Sequence, residues 1–166
     1  MGLDITAYSH LKALGKHTDA DWCEDEEHIQ VFAYDSFPQS FRGIPVLETR
    51  TVGSGEKFLE GGCYEETDET ETIGFRAGSY TGYNRWRADL QAQFNHARES
   101  DRPFYELIWF ADNEGSIGPE AAADLLADFT EHAERYVPPE YYSPDTYQKW
   151  TRAFELAADG GIVRFH

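Results

Sequence analysis

The segment from Arg102 to Phe129, RPFYELIWFADNEGSIGPEAAADLLADF, limits the fold more than any other part of the chain. Phe104 to Phe110 is almost continuously apolar and aromatic, which suits a strand covered on both faces and is short for a helix. It is expected as a central strand. Asp112, Asn113, Gly115 and Gly118 then supply turn chemistry, and Pro119 fits the first helical position, where its missing N–H would be unpaired anyway. Beyond it Ala122, Leu125, Leu126, Phe129, Ala133 and Tyr136 fall three or four apart and form one apolar stripe, with Asp124, Asp128, Glu131 and Glu134 largely outside it. A helix that starts at Pro119 and packs on a sheet follows.

The same periodicities organise the rest of the chain. Leu3, Ile5 and Ala7 alternate with Asp4, Thr6 and Tyr8, so 2–9 reads as a strand with one covered face, and 28–34, 44–51, 72–76 and 162–165 read as further strands. Residues 11–27 and 53–71 read as loops, the first ending in the carboxylate cluster DWCEDEE and the second in an acidic run whose self-repulsion favours solvent. Tyr83, Trp86, Leu90, Phe94 and Ala97 are spaced three, four, four and three, a helical face that Ser79 or Thr81 can cap. Ser143-Pro144 opens a third helix with Tyr147, Trp150, Phe154 and Ala157 on one face, and Gly160-Gly161 ends it. The expected architecture is one α+β domain over residues 1–166, an antiparallel or mixed sheet of about 5–6 strands with three helices packed on it.

Charge narrows the function classes. The chain carries 31 Asp and Glu against 14 Lys and Arg, a net −17. A phosphate backbone is bound by clustered cations, and no window supplies a basic stripe, so direct nucleic-acid binding is not expected. The acidity suits three readings: solubility through self-repulsion, an acid-rich surface of the salt-adapted kind, or a surface that imitates DNA phosphates. The sequence contains no membrane-length apolar run and opens without a signal-peptide pattern, so a soluble protein of the cytoplasm is expected. Cys23 and Cys63 are the only cysteines, which fits free thiols in a reducing compartment.

Four stretches, Met1 to Ile5, Gly78 to Arg87, Phe104 to Pro119 and Ala153 to His166, together cover roughly a quarter of the chain. In them the chain resembles a set of small phage- and prophage-encoded proteins. These begin MGLDI, carry GSYxGYNxWR-like and FxELIxFxDxEGxIGP-like stretches, and end near AFELAAxGGxVxFH. Members of that set commonly have Ser where this chain has Ala111 and Cys where it has Asn113. The stretch from Leu11 to Thr70 carries no part of the resemblance. The likeness implies a mobile-element setting, in the cytoplasm of the host cell, and brings no activity with it.

Several groups are candidates for chemistry. Asp112 and Glu114 bracket Asn113 after the expected central strand and offer hard oxygens that can hold a divalent cation or act as acid and base. Ser116 to Pro119 leads into a helix N-terminus, where free N–H groups favour an anion. Ser79, Tyr80 and Arg87, in and after the Gly-rich turn, are expected to face Asp112, Glu114 and Ser116 across one ligand pocket, with both turns at the same end of the sheet. Glu106 lies inside an apolar run, where a carboxylate needs a partner: Arg164, Arg76, or a metal shared with Asp4 and His166. A structural ion pair is the favoured reading of it. Cys23, His28 and Cys63 lack zinc spacing, and there is no nucleophile elbow, P-loop or dinucleotide fingerprint.

The reading favoured by these residues is a non-enzymatic accessory protein of a mobile element that binds a host protein or a small polar ligand and needs no cofactor. The competing readings are a metal-dependent hydrolase or transferase built on Asp112 and Glu114, and an acidic DNA mimic.

Overall fold

The computed structural model describes residues 2–15, 28–31, 40–41, 44–45, 62–110 and 115–166. Along the chain the elements are β1 Gly2–Tyr8, β2 Lys12–Gly15, β3 Ile29–Val31, β4 Ser40–Phe41, β5 Ile44–Pro45, β6 Gly62–Glu65, β7 Thr72–Ser79, α1 Tyr80–Phe94, α2 Tyr105–Trp109, β8 Gly115–Ile117, α3 Pro119–Glu131, α4 Thr146–Ala158 and β9 Ile162–Phe165. The principal sheet has the order β7-β1-β9-β8, with every pairing antiparallel. A smaller sheet runs β2-β6-β3, and β4 pairs with β5. The α+β class read from the sequence is the class observed.

One face of the principal sheet carries the core. Leu3, Ile5 and Ala7 of β1 and Val163 and Phe165 of β9 are buried, while Asp4 between them is exposed, as a period of two requires. Helix α4 lies over β1 and β9, with α3 packed against it and α1 over β7. Four helix positions read as one-sided from the sequence, Trp86, Leu90, Trp150 and Phe154, are fully buried. Trp86 is stacked between Tyr142 and Trp150, at centroid distances of 5.3 and 5.6 Å with interplanar angles of 10°. Its indole N–H donates to the Tyr136 hydroxyl at 2.8 Å, so the ring is buried without stranding its polar edge.

Two glycines take positive φ at the ends of the sheet, where a side chain would be strained. The β1–β7 register slips between Leu3 and Asp4, leaving Ala77 without a ladder partner, and Gly78 turns through φ +114 to make the slip. The Ala77 carbonyl is taken instead by the Tyr142 hydroxyl. At the other end of the sheet, Gly160 adopts φ +65 after α4, and the Gly161 N–H returns to the Ala157 carbonyl at 2.9 Å.

Several expectations change. Phe104 to Phe110 is not a central strand: Tyr105–Trp109 is a short helix, and β1 and β9 are the inner strands. Phe104, Leu107, Ile108 and Phe110 are all buried, and a run buried on every side looks alike as helix or strand. Phe104 breaks the extended reading, since it enters the helix at φ +60 with its N–H held by Asp128 Oδ2 at 2.8 Å. Four helices are therefore described where three were expected. The supposed loops 11–27 and 53–71 contain β2 and β6. Of the expected strands 28–34 and 44–51, Ile29–Val31 and Ile44–Pro45 are strands, and 32–34 and 46–51 lie outside the described residues. Cys63 is disulfide-bonded, not a free thiol; the chain's other cysteine, Cys23, lies outside the described residues. Cysteine usage thus gives no argument for a reducing compartment. Among the described residues no helix is long and apolar enough to cross a membrane.

Candidate functional site

Strand direction decides the fate of the expected pocket. Ser79 at the end of β7 pairs with Gly2, whereas Ile117 at the end of β8 pairs with Val163, itself opposite Ala7. Helix α1 therefore starts at the Gly2 end of the sheet and α3 beyond its Ala7 end, about 17 Å away along β1 at the rise of an extended strand. The two helix N-termini do not lie side by side. β8 runs in the direction of β1, and β7 runs against it, which puts their exits at opposite ends.

The individual residues have local duties. The Ser79 hydroxyl caps α1 by accepting the Gly82 N–H at 3.0 Å. Tyr80 opens α1 and donates from its hydroxyl to the His166 carbonyl at 3.5 Å. Ser116 sits within β8 opposite Arg164. Arg87 is fully buried: its Nη1 donates to the carbonyls of Ile108, at 2.9 Å, and Phe110, and its Nη2 to Asn84 Oδ1. A guanidinium turned inward on the end of α2 is not available to a ligand in solvent. Asp112 and Glu114, proposed for ligand and metal, lie outside the described residues. Among the described residues no group of three or more His, Cys, Asp or Glu side chains is disposed to hold a metal ion.

A different set of carboxylates does converge. Between α2 and α3, with the turn before α2 as its rim, lies a cleft of about 440 Å³. Glu106 of α2 lines one wall and Asp124, Asp128 and Glu131 of α3 the other, with Ser100, Asp101 and Arg102 at the rim and His132 as the remaining polar lining. Asp124, Asp128 and Glu131 are four and three apart, so they share one face of α3. The opposite stripe, Ala122, Leu125 and Phe129, is buried. His132 closes α3 by donating its N–H to the Asp128 carbonyl and packs its ring against Phe94 and Phe104.

Glu106 does lie buried, at 4% exposure. Arg76 and Arg164, expected as its partners, belong to the sheet strands β7 and β9; the basic groups that share its cleft are Arg102 and His132.

Electrostatics set Asp128 apart. Burial pushes its carboxyl up to about 6, the charges of Glu106, Asp124 and Glu131 push the same way, and the hydrogen bond from the Phe104 N–H opposes them. The folded chain thus holds this proton more tightly than the unfolded chain, whose ordinary value is 3.8. The stabilisation is complete below pH 4 and is lost as pH rises through about 6. Asp128→Asn keeps an oxygen for the Phe104 N–H and removes the charge. It is expected to stabilise the protein by about 1 kcal/mol at neutral pH, a figure reduced for the water that reaches this carboxyl, and to change nothing near pH 4. Urea denaturation of both proteins at the two pH values measures the difference; an equal effect at both would remove the charge as its cause.

Periodicity alone places the acidic residues of α3 outside its apolar stripe and does not show what faces them. One signal was present: Pro119 to Glu134 holds Glu120, Asp124, Asp128, Glu131 and Glu134 and not one Lys or Arg. What no periodicity showed is that a helix carrying Glu106 would stand opposite.

Comparison of the chain with protein-family models, with curated proteins and with solved structures gave no significant match.

Proposed function

We propose that the protein is a non-enzymatic accessory protein of a phage or related mobile element, acting inside the host cell by binding, and that its ligand presents a cationic nitrogen to the α2–α3 cleft. The observation that carries this reading is the cleft itself: Asp101, Glu106, Asp124, Asp128 and Glu131 line one volume of about 440 Å³ against a single arginine, Arg102, and one histidine, His132. Of these, buried Glu106 and half-buried Asp128, on facing walls, attract a primary amine or a guanidinium more strongly than water-exposed carboxylates do, which favours a donor that bridges the two walls. The mobile-element setting is supported by the sequence resemblance.

Two sources can supply such a nitrogen, a free small cation or an Arg or Lys side chain of a host protein. Calorimetric titration with agmatine, and separately with a short arginine-containing peptide, distinguishes them. Binding of either is expected to weaken about tenfold in Glu106→Gln, equivalent to about 1.4 kcal/mol, and to weaken at high salt as screening grows. It should also weaken as pH falls through about 6, because a protonated Asp128 no longer attracts the cation. Absence of heat with both probes, or full affinity in Glu106→Gln, contradicts the assignment.

A further inference from the structure

Residues 136–142, within the connection from α3 to α4, form a strap laid over α1. Its two ends are anchored in the core. Tyr142 is buried and stacks on Trp86, and Tyr136 stacks on Tyr147 at 4.3 Å while accepting the Trp86 indole N–H. Between them the backbone is held by one side chain. Gln93 of α1 donates from Nε2 to the Val137 carbonyl and accepts the Val137 N–H at Oε1, both at 3.0 Å.

What the strap leaves outside is apolar. Val137 is 67% exposed and Tyr141 40%, two of the three large hydrophobic residues most exposed among those described. Pro138 between them is exposed as well. Pro138 and Pro139 have no N–H, and each restricts the residue before it to extended or polyproline-II geometry. Tyr142 N–H closes the following turn on the Pro139 carbonyl at 3.0 Å. The Tyr141 ring is fixed on one face and at its tip, with the Arg85 guanidinium 3.9 Å from its centroid and its hydroxyl donating to Asp89.

This chemistry selects the partner. A strap whose Val137 backbone groups are already taken, and whose next two residues lack N–H, cannot be read by adding it to the edge of a sheet. The surfaces left for recognition are the Val137 side chain, the Pro138 ring and carbonyl, and the Tyr141 ring. Flat aromatic walls with an indole or phenol donor aimed at a prolyl carbonyl fit them, which is how polyproline-II segments are bound. Glu134 and Glu140, exposed on either side of the prolines, call for cations at the rim of that groove. Because Gln93 and the two anchoring tyrosines fix the strap before any partner arrives, little ordering entropy opposes its docking.

We infer that residues Val137 to Tyr141 form a preorganised docking strap for a partner protein whose groove is walled by aromatic rings and basic at its rim. The cleft between α2 and α3 takes no part in it, so the two sites stand or fall separately.

Titrating the isotope-labelled full chain with an isolated WW domain and with an isolated SH3 domain, both readers of polyproline-II, tests the strap by NMR. Saturable binding of at least one is expected, with shifts confined to Val137 to Tyr141, Arg85 and Gln93. Pro138→Ala should weaken it about tenfold, and Gln93→Ala several-fold through loss of preorganisation. Val137→Ser, at a side chain that contributes little to folding, repeats the test if the proline variant loses stability. The inference is overturned if neither domain binds up to about 1 mM, if Pro138→Ala and Val137→Ser bind as the wild type does, or if the shifts map to Asp124, Asp128 and Glu131.

Discussion

Gly161→Ala is expected to lower the melting temperature by on the order of 10 °C, since the added carbon meets backbone and not a side chain that can swing away. A Cβ at this position would stand 1.7 Å from the Tyr8 carbonyl oxygen, 2.6 Å from its carbon and 2.8 Å from Ser9 Cα. The crowding follows from the fold. β1 and β9 are adjacent inner strands, Tyr8 pairs with Ile162, and the His10 and Leu11 N–H groups bond the Asp159 and Gly160 carbonyls at 2.8 and 2.9 Å. Relief requires β1 and β9 to part where the ladder begins, at a cost of roughly 3 kcal/mol or more. Differential scanning calorimetry measures it. A loss of only a degree or two would mean that the turn after α4 can move without the sheet. Gly74→Ala is the control, because a carbon there meets only the Ile5 carbonyl oxygen, at 3.7 Å.

Arg87→Met should cost nearly as much, roughly 3–4 kcal/mol, for a different reason. Methionine fills most of the volume of the arginine stem but offers no donor. The Ile108 and Phe110 carbonyls would then face apolar surroundings without the guanidinium that now binds them both, and the carbonyl end of α2 would lose its nearby positive charge. Arg87→Lys is expected to recover only part of the loss. A single ammonium cannot reproduce the fork that reaches two carbonyls and Asn84 Oδ1 together. Chemical denaturation of the three proteins orders them wild type, lysine, methionine; a methionine variant as stable as wild type would show that these hydrogen bonds contribute no net stability.

Arg87 also shows how much of the site could be read in advance. It lies four residues after Tyr83 and three before Leu90, on the apolar stripe of α1, so its spacing already pointed inward. Grouping it with the Gly-rich turn as a ligand residue set that spacing aside. The elements with a clean single-sided pattern, β1, α1, α3 and α4, appeared where their periodicity put them, since one buried face fixes register and rotation, although α1 ends at Phe94, before Ala97, and α3 at Glu131, before Ala133 and Tyr136. α2 gave no such pattern, because Phe104, Leu107, Ile108 and Phe110 are all buried and Glu106 lies among them. β2, β6 and β8 are three or four residues long and exist through pairing with distant partners, as Lys12 does with Glu65. Local propensity cannot announce such strands. The cleft failed to show for the same reason: Glu106 and Asp128 are brought together by tertiary packing and by the Phe104–Asp128 hydrogen bond. The disulfide at Cys63 was equally silent, since the sequence around it carries no cysteine spacing signal.

The shift of one carboxyl tests the cationic-ligand account most directly. Carbon-detected NMR can follow Asp128 through a pH titration of the free protein and again with agmatine in excess. Free Asp128 should titrate at about 6, and a cation held among Glu106, Asp124 and Glu131 should bring it down by about one unit or more. A midpoint that agmatine leaves unmoved, or one that lies near 3.8 in the free protein, would contradict the account.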